Sequence, residues 1–185
     1  MRKMLFAKNR LLWLFTAFAA LLLSSCGTSR KAAQKNQPAP VSKNYSTAKT
    51  IAQPLDINRT EMVTYAKQFI GVPYKYGSIN PVNGFDCSGF VYHVLTHFNI
   101  NPPRSTYEYE HVGKEIAERQ AKAGDIILFT GSDNKKIGHM GIVTENNNGT
   151  IQFIHSATSR NIGVIISSLE GYYRKHFVKV IRILK

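Results

Sequence analysis

The sequence predicts an α+β domain at residues 56–185, with N-terminal helices packed on an antiparallel β-sheet. Apolar residues recur at helical spacing as far as about residue 98 and strand-like patterns take over from Gly124. The two kinds of segment are separated along the chain rather than alternating as βαβ units do. With 43% hydrophobic and 19% charged residues among 185, the chain has the composition of a globular protein and the length for one core.

What precedes that domain is a separate matter. Arg2, Lys3, Lys8 and Arg10 stand before an apolar run from Leu11 to Leu23 that closes on Ser24-Ser25-Cys26. Cations, a short apolar stretch and small residues in that order predict a secretory leader over residues 1–25. The run is short for a membrane-spanning helix, which needs about 20 apolar residues. Leu23-Ser24-Ser25-Cys26 resembles the lipobox of bacterial lipoproteins, which implies that Cys26 becomes the lipidated first residue and anchors the protein to a membrane. Residues 26–55 contain Pro38, Pro40 and Pro54 among Ser, Thr, Lys, Gln, Asn and Ala, without periodicity. They are expected to form a flexible tether with a reach of roughly 30 Å. Losing the four leader cations and no acid lowers the formal charge from +13 to +9. For an exported chain, such a charge fits an anionic wall polymer or lipid headgroups; nucleic acid is not an expected partner.

Within the domain, the first helix is expected from Asn58 to Phe69. Asn58 and Glu61 are spaced as a cap pair, Met62, Ala66 and Phe69 share a face, and Gly71 and Pro73 close it. Phe90, Val91, Val94, Leu95 and Phe98 predict a second helix that begins at Asp86-Cys87, with Asp86 as its cap. After Pro102-Pro103, Ser105 or Thr106 with Glu108 caps a short third helix towards His111. Strands are expected at 125–130, 139–144, 151–156, 163–167 and 177–184, each bounded by turn-rich pieces.

With Cys26 given to lipid, Cys87 has no partner for a disulfide. At the first turn of a helix, free amides and the positive end of the dipole favour a thiolate and can also receive an oxyanion. Ser88-Gly89 adds small side chains that let a substrate approach. The alternative is a buried small hydrophobe, as most free cysteines are.

The segments around His139 and His155 form a hairpin across Asn146-Asn147-Asn148-Gly149. Pairing Thr144 with Thr150 sets Ile142 against Gln152, Gly141 against Phe153, and His139 directly opposite His155. Two imidazoles on one sheet face, beside a helix that starts with cysteine, give a nucleophile, a base and an orienting group. A metal site from the same three residues is a second reading, but the chain has no Cys-x-x-Cys pair and no His-Glu-x-x-His. His93, His97, His111 and His176 are expected to be ordinary residues.

Gly71-Val72-Pro73-Tyr74, Gly84-Phe85-Asp86-Cys87-Ser88-Gly89-Phe90, Gly124-Asp125-Ile126-Ile127-Leu128-Phe129 and Gly138-His139-Met140-Gly141-Ile142 resemble the NlpC family of cell-wall cysteine endopeptidases in order and spacing. Pro103-Arg104-Ser105-Thr106-Tyr107-Glu108 and His155-Ser156-Ala157-Thr158-Ser159 resemble its Spr-type murein endopeptidase lipoproteins. The resemblance covers residues 58–185. It implies a papain-like fold with no cofactor or metal, in which Cys87 attacks peptidoglycan stem peptides, His139 takes the thiol proton and His155 holds His139. The bond cut would be γ-D-glutamyl-diaminopimelate or the D-alanyl-diaminopimelate cross-link.

Tyr74 falls on a family tyrosine near the oxyanion, with one extra residue separating it from the cysteine here. Ser88 lies beside it on the oxyanion or substrate side, and Arg104 is placed to meet a substrate carboxylate. Gly77-Ser78 stands where Gly-Gly is commoner, and Tyr76 where Trp is frequent. A wall-binding protein without catalysis and a papain-like acyltransferase are the alternatives. Gly27, Arg30 and Lys31 do not resemble retention or surface-export signals, so an outer-membrane anchor facing the periplasm is expected, and the protein is expected to be a monomer.

Overall fold

The computed structural model describes residues 55–159 and 162–185. The predicted leader, the Cys26 lipidation site and the tether up to residue 54 lie outside the described residues.

Helix α1 (Arg59–Lys67) starts where its cap predicts: Asn58 Oδ1 accepts from the amides of Thr60 and Glu61 at 2.9 and 3.2 Å. It buries Met62, Val63 and Ala66 and stops two residues earlier than expected. The following segment is then drawn along a sheet edge, because the Gly71 amide donates to Val164 O and the Val164 amide to Val72 O, both at 2.9 Å. Gly163, at φ +91°, makes this approach possible, since a Cβ there would lie 2.0 Å from Val72 O.

A small hairpin that the period analysis does not anticipate, β1 (Ile79–Asn80) and β2 (Gly84–Phe85), delivers the chain to helix α2 (Cys87–His97). Asp86 caps α2 through its side chain, which accepts from the Gly89 amide. Phe90, Val91, Val94 and Leu95 are fully buried along its length. The predicted third helix is a 3-10 helix, Thr106–His111, with Glu108 accepting from the Ser105 amide at 2.8 Å. Confined between Pro103 and Gly113, it is short enough for the tighter winding.

The sheet contains β3 (Lys114–Ile116), β4 (Ile126–Thr130), β5 (Ile137–Asn147), β6 (Thr150–Ala157), β7 (Gly163–Ser168) and β8 (Phe177–Arg182), in the order β3-β8-β4-β5-β6-β7 and antiparallel throughout. Strand β3 and the short helix α3 (Gly171–His176) carry too few periodic residues to be foreseen. Both sheet faces are covered. Ile126, Leu128, Met140, Ile142 and Ile154 pack with residues of α1 and α2, whereas Ile127, Phe129, Val143 and Phe153 form a second cluster against which Tyr173 of α3 packs. Strand β4 is therefore a continuous apolar run rather than an alternating one.

The hairpin of β5 and β6 departs from the expected register. Ile142 pairs with Ile154 and Val143 with Phe153, but Glu145 pairs with Gln152 and Asn147 with Thr150. The irregularity between Val143 and Glu145 leaves Thr144 without a partner position, and the pairing beyond it is offset by two from that predicted. His139 is consequently not opposite His155. The offset is even, so both side chains keep the same face and meet diagonally. Gly141 provides the space, as a Cβ there would lie 2.9 Å from the Phe153 ring and 3.0 Å from His155 Cβ.

Asp125, just ahead of β4, is fully buried and ties three parts of the domain together. Its carboxylate accepts from Arg59 Nη1 at 3.0 Å, from Arg182 Nε and Nη2 at 2.9 and 2.7 Å, and from the Lys122 amide at 2.8 Å. The domain ends close on one another nearby. The Leu55 amide donates to Ile183 O at 2.8 Å and the Lys185 amide to Leu55 O at 2.9 Å, which makes a parallel bridge between Leu55 and Leu184. This bridge, rather than β8, takes up the last residues of the strand expected to reach Leu184.

Candidate active site

Cys87 occupies the first turn of α2, buried but for 8% of its surface, between two cavities. Its sulfur lies 3.6 Å from Thr106 Oγ1 and 3.9 Å from Gly138 O. Thr106, itself buried, is a site residue the sequence reading treats only as a possible helix cap. Its place directly after the Arg104-Ser105 pair was the available signal.

His139 and His155 are joined by a 2.8 Å hydrogen bond between Nε2 and Nδ1, with their rings nearly perpendicular. His155 is completely buried, and its Nε2 is bonded to Ser167 Oγ at 3.0 Å. His139 shares a cavity of about 250 Å³ with Cys87, lined also by Tyr74, Tyr172, Tyr173 and His176. Among the described residues no hydrogen bond joins the thiol to His139, and both line that cavity. Such contacts commonly tighten only when substrate is present. Among the described residues, no group of three or more His, Cys, Asp or Glu is arranged to hold a metal ion.

The second cavity, about 460 Å³, also borders Cys87 and is lined by Tyr74, Asp86, Ser88, Arg104 and the exposed Tyr76 and Tyr107. Here the structure redirects two expectations. Arg104 forks onto Asp86, with Nη1 to Oδ1 at 3.1 Å and Nη2 to Oδ2 at 2.8 Å, and Nη1 also donates to Ser88 Oγ at 2.9 Å. The guanidinium thus faces a carboxylate of its own chain, and the Ser88 hydroxyl is held within the same network. Asp86 combines helix capping with this ion pair and accepts from the Gly77 amide at 2.8 Å as well. Tyr74, aligned beside Phe85 by a parallel bridge, lines both cavities.

The electrostatics differ from the expected thiolate. Burial pushes the Cys87 thiol up; the Thr106 hydroxyl pulls the other way, the Asp86 charge adds to the rise, and the amides of Ser88 and Cys87 lower it, with burial dominant. Burial likewise pushes His139 down to about 4, and His155 down further with help from His139. Burial therefore favours the neutral forms of both the thiol and the imidazole. The Tyr74 hydroxyl is pushed up to about 12, chiefly by burial and then by the Cys87 charge, so it remains an O–H donor at neutral pH.

These shifts give a stability signature. Both histidines fold with pKa values below the free value of 6.5, so their contribution is complete above that pH and is lost as pH falls, through about 4 for His139 and on to about 2 for His155. The thermal midpoint is expected to drop progressively below pH 6.5. His155→Gln, which has no proton to gain, should show a smaller drop, and equal drops would place the titration elsewhere.

A helix that begins with cysteine, seated against an antiparallel sheet that carries paired histidines, defines the class: a papain-like cysteine hydrolase fold. The chain belongs to the NlpC/P60 family, whose model matches residues 71–182. It is 32% identical over 175 residues to the murein DD-endopeptidase MepS/murein LD-carboxypeptidase of Escherichia coli strain K12, covering 89% of this chain and 88% of that protein. The crystal structure of the NlpC/p60 domain of peptidoglycan hydrolase SagA superposes with a TM-score of 0.55 at 31% identity, over 68% of this chain and 98% of that one. An NlpC/P60 family protein from Bacillus cereus ATCC 10987 shares the fold with a TM-score of 0.63 at 23% identity, over 71% of this chain and 42% of its own.

Proposed function

We propose that this protein hydrolyses peptidoglycan stem peptides through a thioester formed on Cys87. The protein is a peptidoglycan endopeptidase of the cysteine-peptidase type, and it works at the cell envelope. The observation that carries the mechanism is a buried thiol at a helix N-terminus sharing one cavity with a histidine that is bonded to a second histidine.

In the attack step the Cys87 sulfur bonds to the scissile carbonyl carbon while its proton passes to His139. The carbonyl oxygen becomes an oxyanion that accepts from the amides at the start of α2 and from the Tyr74 hydroxyl. His139 then gives the proton to the departing amine as the C–N bond breaks. Water, deprotonated by His139, releases the acid and restores the thiol. His155 keeps the imidazole oriented throughout. A substrate extending to both sides of the sulfur would lie in both cavities, with Arg104 and Ser88 lining one of them. Because Asp86 and Arg104 neutralise each other, that wall offers hydrogen bonds rather than net charge.

Of the two family bonds, the D-alanyl-diaminopimelate cross-link is favoured, because the relative that aligns with 89% of the chain is a DD-endopeptidase. Export with residues 1–25 removed, lipidation of Cys26, a tether ending at residue 55 and an outer-membrane anchor facing the periplasm complete the reading; the protein acts as a monomer and needs no cofactor. The motif at Leu23-Ser24-Ser25-Cys26 supports the lipid anchor.

Purified cross-linked muropeptides incubated with the protein and resolved by mass spectrometry test the proposal. The expected products are uncross-linked monomers, each cleavage adding one water. Protein alkylated beforehand with iodoacetamide should yield none. Products unchanged after intact-mass measurement shows Cys87 fully carbamidomethylated would remove Cys87 from the reaction, and uptake of an added amine in place of water would reveal an acyltransferase.

A further inference from the structure

We infer that Ser167 is a positioning residue that dictates which ring nitrogen of His155, and through it of His139, carries the proton. The inference rests on the reading of His139 as the base.

Because His155 is wholly buried, both its ring nitrogens must find partners within the protein. Nδ1 meets His139 Nε2 at 2.8 Å, and Nε2 meets Ser167 Oγ at 3.0 Å. The Tyr173 ring stands edge-on to His155, with centroids 5.1 Å apart, and lines the Cys87 cavity. Three polar groups therefore form one line running from β5 through β6 to β7.

The line has two possible directions. For His139 to accept the thiol proton, its Nδ1 must be bare, so its proton sits on Nε2 and is donated to His155 Nδ1. His155 then has its own proton on Nε2, and Ser167 Oγ receives it. In the opposite direction Ser167 donates to His155, His155 donates to His139, and the His139 proton sits on Nδ1, where it blocks base action. Once His139 is an imidazolium, only the first direction survives, since both its nitrogens then donate. Ser167 thus supplies the acceptor that the charged intermediate requires at the far side of His155.

Ser167→Ala leaves a buried N–H without an acceptor. The expected result is a fall in kcat of about 10- to 100-fold, the range found when outer partners of functional histidines are removed, with KM changed less than about twofold. Nitrogen-15 NMR of the imidazoles should show His155 protonated on Nε2 in the native protein and on Nδ1 in the variant. Ser167→Thr, which keeps a hydroxyl, should restore both. Native kcat in Ser167→Ala with an unchanged imidazole spectrum would overturn the inference. So would a native protein with His155 protonated on Nδ1, an observation that needs neither a folded variant nor measurable cleavage and leaves the proposed reaction to be judged by its own products.

Discussion

Cys87→Ala is expected to lower kcat/KM for stem-peptide cleavage by about 10⁴-fold or more, the scale on which removal of a covalent nucleophile disables a hydrolase. No other thiol occurs among the described residues. The neighbouring hydroxyl of Thr106 faces the sulfur rather than a base, so it has no means of replacing it. What survives in the variant are the amides at the start of α2, Tyr74 and the two cavities, which in the proposed mechanism bind and polarise but do not attack. Substrate affinity should therefore remain close to native, and Cys87→Ala should retain bound muropeptide. The fold should survive, because a single sulfur is removed beside a cavity that already exists, at a stability cost of about 1 kcal/mol. His139→Ala should lose nearly as much activity, and the double variant little more than either, since the two act as one unit. Cleavage by Cys87→Ala above about a tenth of native would exclude the thioester route; loss of binding alongside loss of turnover would instead mark a collapsed site, which circular dichroism and thermal unfolding distinguish.

The largest effect on stability is expected at Asp125, far from any role in turnover. Its side chain is fully buried, and two guanidinium groups converge on it, from α1 and from β8, with side chains 18% and 20% exposed. Removing the carboxylate in Asp125→Ala leaves both cations facing one another and the Lys122 amide without its acceptor. Breaking a buried pair from one side costs about 3–5 kcal/mol. Partial access of both arginines to water places the expected value towards the lower end, still a large share of a small domain's stability. Chemical denaturation should show the midpoint falling with an unchanged slope. Arg59→Met, which leaves Asp125 with Arg182 as its partner, should cost clearly less. A loss below about 1 kcal/mol in Asp125→Ala would mean that the network is replaceable by hydration.

Most of the site's composition was legible because each of its parts is announced by a local signal. Asp86 before Cys87 marks a helix start, and that start alone exposes the sulfur to free amides. The even spacing that keeps His139 and His155 on one face survives an error in register, and this is why the imidazole pair was anticipated although the pairing behind it was not. The irregularity at Thr144 has no signature in a run of asparagines, and it shifts every partner beyond it. What stayed hidden were contacts between segments distant in the chain. Thr106 reaches Cys87, Ser167 reaches His155, and Arg104 turns inward to Asp86, each through tertiary packing that no periodicity records. The upward push of burial on the Cys87 thiol was hidden for a related reason: the dipole of a helix is readable in sequence, whereas the depth to which its first residue is buried is not. In the fold, the long strands were visible through their apolar runs, but two- and three-residue strands and the six-residue α3 carry too few positions for a period to declare itself.

The bridge between Leu55 and Leu184 has a consequence for how the domain wears. The Lys185 amide is engaged by Leu55 and its carbonyl by Arg59 at 2.9 Å, while Ile183 and Leu184 are buried beneath. Opening the domain from this edge breaks the seam that fastens both its entry segment and the stretch after β8, so the two come loose together instead of fraying one at a time.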